Sequence, residues 1–329
     1  MSRNENERMG TERMKQAESS LLSKILEIRY VKLHFFLEFI EDTKLPVNKP
    51  SALRGGIGEM LLNANCIKDR KCETCDFESE CIVQRTMYSK FEQKPEFVTT
   101  GDSVGYIIEC ENYEENFSKG DILQFQLILF GKTIVYFNQY LQAVFALGQV
   151  GIGKKHARFT ICQVTNTKGI PILDGNNVYM RYYQVTTLGN YVKYRLERWK
   201  DTGDYCEIVF HTPLTQKFKG EFLRKFDMEA IIKAVKRRLY ILACFENIES
   251  QKWYEETIGI PTMIAQNSRN VQVARYSSRQ DSKMLLKGIE GSIQIEGISD
   301  EILQILLAGE ITHIGKNTSF GFGRYSVVN

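Results

Sequence analysis

The residues best suited to chemistry lie in one run, Gly315-Lys316-Asn317-Thr318-Ser319-Phe320-Gly321-Phe322-Gly323-Arg324-Tyr325. Three glycines let the backbone approach a ligand closely and turn N–H groups toward an anion; Lys316 and Arg324 add charge, and Thr318 and Ser319 add hydroxyl donors. That chemistry suits phosphate. The run is not a P-loop, because Gly-x4-Gly-Lys-Ser/Thr is absent, nor a dinucleotide fingerprint, because no strand followed by Gly-x-Gly-x-x-Gly opens a helix here. Phe320, Phe322 and Tyr325 interleave aromatic faces with the cations, a pattern that fits a polynucleotide better than a mononucleotide. The plainer reading is a glycine-rich turn before an edge strand. If the loop binds a ligand through backbone freedom, a β-branched residue at Gly321 or Gly323 weakens binding with little loss of fold.

Acid–base chemistry near neutral pH points to histidine, and the chain has four. His313 immediately precedes the glycine-rich run. His156 sits in a similar loop beside Lys154 and Lys155, while His34 falls on the less apolar face of a strand and His211 at a strand end before Pro213. Basic residues cluster: His211 to Tyr240 holds eight Lys or Arg against three acids, and Asn267 to Gly288 five against one. Arg275, Ser277 and Arg279 alternate along a strand and so share a face that could hold a phosphate backbone. On the helix, Lys236, Arg237 and Arg238 read first as a solvated charged face.

Four cysteines, Cys66, Cys72, Cys75 and Cys81, follow a C-x5-C-x2-C-x5-C spacing. Thiolates this close can meet a tetrahedral Zn²⁺ that staples a segment poor in apolar residues; an iron–sulfur cluster or a site without metal remains open, because the outer spacings are looser than two CxxC knuckles. Structural zinc is the first expectation. Cys110, Cys162, Cys206 and Cys244 read as small core residues.

The elements that must position these groups follow from periodicity. Residues 1–20 are polar and without period, as in a mobile tail. Val31, Leu33, Phe35, Leu37 and Phe39 alternate along a strand; a helix enters at Pro50 with Leu53, Ile57, Met60 and Leu61 at helical spacing and Gly55, Gly56 and Gly58 within it. Strands at Gly105–Cys110 and Asp121–Phe130, a helix at Val135–Leu147 and a strand at Arg158–Val164 complete a β-α-β-β-α-β order. The order returns as Cys206–His211, a helix at Asp227–Phe245 with Asp227 as N-cap, strands at Val271–Ser277 and Leu285–Glu296, a helix at Asp300–Ala308 stopped by Gly309, and a last strand at Phe322–Val328. Gly151-Ile152-Gly153-Lys154 and His313-Ile314-Gly315-Lys316 close the two halves alike, as one module copied once would. The expected fold is α+β: tandem ferredoxin-like (RRM-like) modules at 21–170 and 171–329, with a Cys-rich insert at 63–90.

Composition is that of a globular chain, 43% hydrophobic and 25% charged over 329 residues, and 43 Lys plus Arg against 40 Asp plus Glu leave only +3. The total therefore argues for no partner; position has to. No apolar run is long enough to cross a bilayer and no secretory signal is readable, so no membrane partner and a cytoplasmic location are expected.

The glycine-rich tail resembles that of the RAMP superfamily, specifically the CRISPR-associated endoribonucleases that cut precursor CRISPR RNA at its repeats. Leu53-Arg54-Gly55-Gly56, the four-cysteine segment and Phe210-His211-Thr212-Pro213-Leu214 resemble the branch with a cysteine-bearing insert. The resemblance, over residues 30 to 328, implies repeat RNA as partner, with other CRISPR-associated proteins alongside. It also implies a metal-independent cut in which the 2′-hydroxyl attacks the adjacent phosphate to leave a 2′,3′-cyclic phosphate, so no cofactor is needed for catalysis. A base, a cation and an acid are then required. Candidates are His313, His156, His34, Lys49 and Arg54 for catalysis, and Gly315, Lys316, Thr318, Ser319, Gly321, Gly323, Arg324, Lys154, Lys155, Arg275 and Arg279 for RNA. One departure stands out: many family members place a general base in or just before the first helix, yet Lys44 to Leu61 holds no histidine, only Lys44, Lys49 and Arg54. Either the base has moved, or a lysine and an arginine act by orientation and charge, or the chain binds repeat RNA as a non-catalytic subunit of an interference complex.

Overall fold

The computed structural model describes residues 21–98, 103–153, 155–199, 205–250, 253–255, 259–277 and 282–329. The segment read as a tail, Lys154 and Arg279 lie outside the described residues. A helical turn at residues 21–26 (α1) leads into β1 (Arg29–Phe39). There follow β2 (Thr43–Lys44), α2 (Lys49–Asn65), α3 (Ile82–Met87), β3 (Tyr106–Glu109), β4 (Asn116–Phe117), β5 (Ile122–Phe130), α4 (Phe137–Val150) and β6 (Phe159–Asn166). Short strands β7 (Pro171–Asp174), β8 (Asn177–Val178) and β9 (Thr186–Thr187) and helix α5 (Leu188–Leu196) connect to the second half. That half comprises β10 (Tyr205–Leu214), a small hairpin β11 (Lys217–Phe218) and β12 (Glu221–Phe222), α6 (Met228–Glu246), β13 (Thr262–Ser277), β14 (Ser282–Glu296), α7 (Asp300–Thr312) and β15 (Tyr325–Val328).

The first sheet runs β3-β5-β1-β6-β7-β8, and the second β13-β14-β10-β15. Counting strands within each β-α-β-β-α-β unit, both orders begin second, third, first, fourth, the ferredoxin-like arrangement twice over. β7 and β8 pair into the first sheet, and β9 pairs β1, so that sheet runs past residue 170 to Thr187. Alternation on β1 works as expected: Val31, Leu33, Phe35, Leu37 and Phe39 are buried with Leu53, Ile57 and Leu61 of α2 and Tyr140, Val144 and Leu147 of α4. Gly56 lets α2 and α4 meet, since a Cβ there would lie 2.6 Å from Leu147 Cδ1. The other face of the sheet contributes Tyr30, Ile107, Ile128 and Phe130 to a second core with Ile231, Leu239 and Leu306 of the second unit.

Three sequence expectations need correction. Gly309 does not stop the last helix: α7 continues to Thr312, and Gly309 is small because Tyr325 Oη would sit 2.0 Å from a Cβ, while that hydroxyl donates to the Leu306 carbonyl at 2.7 Å. The last strand begins at Tyr325, because the left-handed Gly321 (φ 79°) and Gly323 (φ 70°) keep the chain turning. β13 starts at Thr262, nine residues before Val271, paired along β14 through a stretch too polar to show alternation.

Candidate nucleic-acid interface

The glycine-rich loop is a tightly seated structure. α7 ends at His313, whose φ of 52° and ψ of 169° match the C-cap of α4, Gly151, at 91° and 151°. Ile314 and Ile152 are both buried, and Gly315 and Gly153 are both left-handed, at 81° and 73°. The internal echo in the sequence is thus an echo in backbone shape. Ile314 N donates to Gly323 O at 3.1 Å, and Gly323 N to Pro213 O at 3.0 Å, which cinch the loop at its neck. Thr212 serves as a double clamp: its hydroxyl donates to Gly321 O at 2.7 Å and accepts from Arg324 N at 2.9 Å. This explains Phe210-His211-Thr212-Pro213-Leu214, with His211 itself exposed and its Nε2 2.8 Å from Ser326 Oγ.

The seat is β3. Gly321 packs so close to the Ile108 carbonyl that a Cβ would lie 2.8 Å from it. Thr318, Ser319, Phe320, Gly321, Phe322 and Gly323 are all buried. Thr318 and Ser319, expected as donors to a phosphate, are therefore buried, and of the loop Lys316 alone is exposed, with Gly315, Asn317 and Arg324 half-buried. The expectation missed this because nothing local signals that an edge strand 200 residues earlier receives the loop.

His313, the leading acid–base candidate, has no exposed surface. Its Nε2 lies 2.7 Å from Glu109 Oε1 and its Nδ1 3.1 Å from the Phe322 carbonyl. Burial lowers its pKa, opposed by the hydrogen bond and charge of Glu109. With both nitrogens committed, it is a structural clamp and not a base. Burial pushes the Glu109 carboxyl up, but the Lys32 ammonium at 2.9 Å, His313 and Arg324 outweigh it and hold the carboxyl well below the ordinary range. Arg324 is further paired to Glu111.

Lys49 is also removed from chemistry: it is buried, donates to the Glu114 carbonyl and lies over the Phe117 ring at 5.5 Å. Burial lowers its pKa. His34 is half-buried with Nδ1 3.1 Å from Gln124 Nε2; burial and then Lys32 lower its pKa. His156 and Lys155 are exposed in the turn closed by the Ile152–Ala157 bridge.

What the structure does bring together is Arg54, Arg275 and the loop. Arg54, on α2, has its guanidinium 4.8 Å from the Phe320 ring centre; Arg275, on β13, stands 4.1 Å from the same ring. Arg54 donates to Tyr106 Oη at 3.0 Å and to Ser103 Oγ at 2.9 Å, and Ser103 in turn donates to Met87 O at 2.6 Å. Arg275 Nε is buried without a hydrogen-bond partner. Burial, and then the neighbouring Arg54, lower the pKa of Arg275. Two guanidinium groups from distant segments thus share one aromatic ring, and among the described residues neither is paired with a carboxylate. Such a pair is built to receive an anion. Tyr106 and Ser103 were not legible as site residues, since a buried strand tyrosine and a loop serine carry no motif.

The four cysteines of the insert line one cavity of about 230 Å³, and Arg70 N donates to Cys66 Sγ at 3.2 Å. As placed they do not form a metal site: among the described residues no three His, Cys, Asp or Glu converge enough to hold an ion. No described helix is long and apolar enough to cross a membrane.

Residues 26–186 match the family model AF_1859_N, described as an N-terminal domain, a span that closes with the first sheet. Residues 208–325 match the family described as CRISPR-associated endoribonuclease Cas6. The fold is similar to a partial Cas6-RT-Cas1–Cas2 complex and to a Cas6-RT-Cas1–Cas2 complex, each at TM-score 0.55, 13% identity and 92% of this chain. The chain spans only 47% and 29% of those two partners' lengths. It is also similar to a Cas6 (TTHB231) product complex, a protein of Thermus thermophilus, at TM-score 0.51 and 13% identity over 91% of this chain and 99% of that one. No curated protein sequence is significantly similar. The second unit thus matches the model of the Cas6 endoribonuclease family over residues 208–325, and the chain as a whole shares its fold with the Cas6 (TTHB231) product complex.

Proposed function

We propose that the chain is an endoribonuclease that binds CRISPR repeat RNA and cuts precursor CRISPR RNA by metal-independent attack of the 2′-hydroxyl on the adjacent phosphate, leaving a 2′,3′-cyclic phosphate and a 5′-hydroxyl. The observation that carries it is the uncompensated Arg54 and Arg275 pair over Phe320, at the meeting point of α2, β13 and the glycine-rich loop. Charge accumulates on the phosphate as the 2′-oxygen attacks, and two half-buried guanidinium groups beside one ring stabilise that charge more than they stabilise the ground state. With no helix histidine, acceleration comes from orientation and charge. The family match and the Thermus thermophilus Cas6 product complex support the same reading. Other CRISPR-associated proteins are proposed as partners, in line with the complexes that the similar structures represent.

One observation favours a second reading, a guide-RNA-binding subunit that does not cut: the histidine nearest the loop is sealed inside the protein. A single assay separates them. Purified protein incubated with repeat-containing RNA in EDTA should give one discrete cut with a cyclic-phosphate end, and a 2′-deoxy nucleotide at that position should abolish the cut while binding persists. Tight binding with no cut assigns the subunit role; cutting of the deoxy substrate overturns the mechanism.

A further inference from the structure

Beside the glycine-rich loop stands the small hairpin β11–β12. Its base is joined to the loop: Lys316 N donates to Thr215 O at 2.8 Å, and a Cβ on Gly315 would lie 2.6 Å from that same carbonyl. The hairpin pairs Lys217 with Phe222 on one face and Phe218 with Glu221 on the other. The Phe218 face is closed, since Lys219 and Lys233 stand over its ring at 4.7 and 5.7 Å and both pair with Glu229 of α6. The Phe222 face is open. Phe222 is 50% exposed, and two ammonium groups, Lys217 from the facing strand and Lys316 from the loop, lie 5.0 and 5.7 Å from its ring centre. Arg224 and Lys225 follow after Leu223 and are exposed. Glu221, at the turn, is the one acid in this stretch, and among the described residues Lys217, Lys316, Arg224 and Lys225 make no ion pair with a carboxylate.

We infer that this face is a stacking platform for single-stranded RNA next to the segment held at the loop, a deepening that rests on the RNA-binding reading above. An exposed ammonium over a ring is weakly held, whereas a phosphate competes strongly for the cation and a nucleobase for the ring face. When a strand arrives, Lys217 and Lys316 turn outward to the backbone and uncover Phe222 for an unpaired base. Every base has a π-face, so the contact tolerates sequence, and a base locked in a duplex cannot use it. The platform thereby selects an unpaired flank beside the bound segment.

The test measures anisotropy of a fluorescein-labelled 20-nucleotide oligouridylate and of a 20-base-pair RNA duplex across a salt series, with unchanged thermal midpoints as the folding control. Phe222→Ala should weaken oligouridylate binding roughly tenfold with the salt slope intact, and Phe222→Trp should restore it. Lys217→Ala should lower the slope of log affinity against log salt by about 0.7. Duplex binding should not respond to Phe222→Ala. Oligouridylate affinity unchanged in Phe222→Ala overturns the platform, as does an equal loss for duplex and single strand. A wild-type chain that binds and cuts repeat RNA while Phe222→Ala behaves normally disposes of the platform alone, whereas a wild-type chain that binds no RNA disposes of the functional reading as well.

Discussion

Arg275 carries a charge that its surroundings leave unbalanced. Its Nε has no partner, the neighbouring Arg54 is a like charge, and its guanidinium lies over the Phe320 ring. Arg275→Met keeps the apolar contact and removes the charge, so stability should change by no more than about 0.5 kcal/mol. The single-turnover cleavage rate at saturating RNA should fall on the order of 100-fold, as for loss of one donor to a developing oxyanion. Arg54→Met should cost at least as much, and the double variant less than the product of the two, since both groups address one phosphate. Rates that stay at the wild-type level, read beside urea melts, would remove the pair from the reacting centre. Lys49, read beside Arg54 as a candidate, belongs to the fold: its charge goes into the Glu114 carbonyl.

At the scale of elements, the two copies of one turn offer an internal control. Gly153 and Gly315 are equivalent and both left-handed, but the surroundings of the two loops differ. Near Gly153 the nearest atom to a Cβ is Pro46 Cδ at 3.6 Å, whereas on its counterpart Gly315 a Cβ would fall 2.6 Å from the Thr215 carbonyl and, further along the same loop, on Gly323 1.8 Å from the Ile314 carbonyl. Gly153→Val should therefore cost only backbone strain, about 1–2 kcal/mol, while Gly323→Val adds a clash with backbone that cannot move and should lose at least ~3 kcal/mol, measured by chemical denaturation. This reverses the expectation that the second loop tolerates such a change. The elements that alternate or repeat cleanly were legible: β1 from its five apolar positions, α6 from its stripe and the Asp227 cap, whose carboxylate accepts from Ala230 N at 2.8 Å. α5 was not, because its cap Thr187 and its buried Leu188 and Val192 make too short a pattern to stand out from a loop. Arg54, Arg275 and the loop were each legible as candidates, but their convergence on one ring depends on how two sheets pack, which no local spacing encodes.

Beside the apolar core that the two units share, polar groups join them at the same junction. Glu109 of the first sheet joins Lys32, His313 and Arg324, and Arg238 of α6 donates to Thr312 O and Val104 O at 3.0 and 3.1 Å, one from each half. Arg238 is buried without a carboxylate partner among the described residues, and desolvation pushes its pKa down to about 9. Glu109→Ala would leave the Lys32 ammonium and the Arg324 guanidinium without their shared carboxylate and should cost about 3–5 kcal/mol. The pH dependence has a definite sign. A carboxyl held below its ordinary value stabilises the fold fully above about pH 4.3, and that contribution fades as pH falls below it toward the lowered value. Acid titrations followed by tryptophan fluorescence should show wild type losing stability below about pH 4 and Glu109→Gln lacking that component. A variant as stable as wild type at pH 7 would show that the junction does not depend on this charge.

The position of the loop against β3 has a consequence for biosynthesis. β3 is the outer strand of the first sheet, and its cover is supplied by residues about Gly321, while the Glu109–His313 bond closes a separation of 204 residues. While the ribosome works through the second half, the first sheet carries a bare border able to pair with any passing strand. The segment that carries the proposed RNA-binding loop is also the one that covers this border. A nascent or truncated chain without it leaves that border open, so protection from stray strand pairing waits for the docking of the glycine-rich loop.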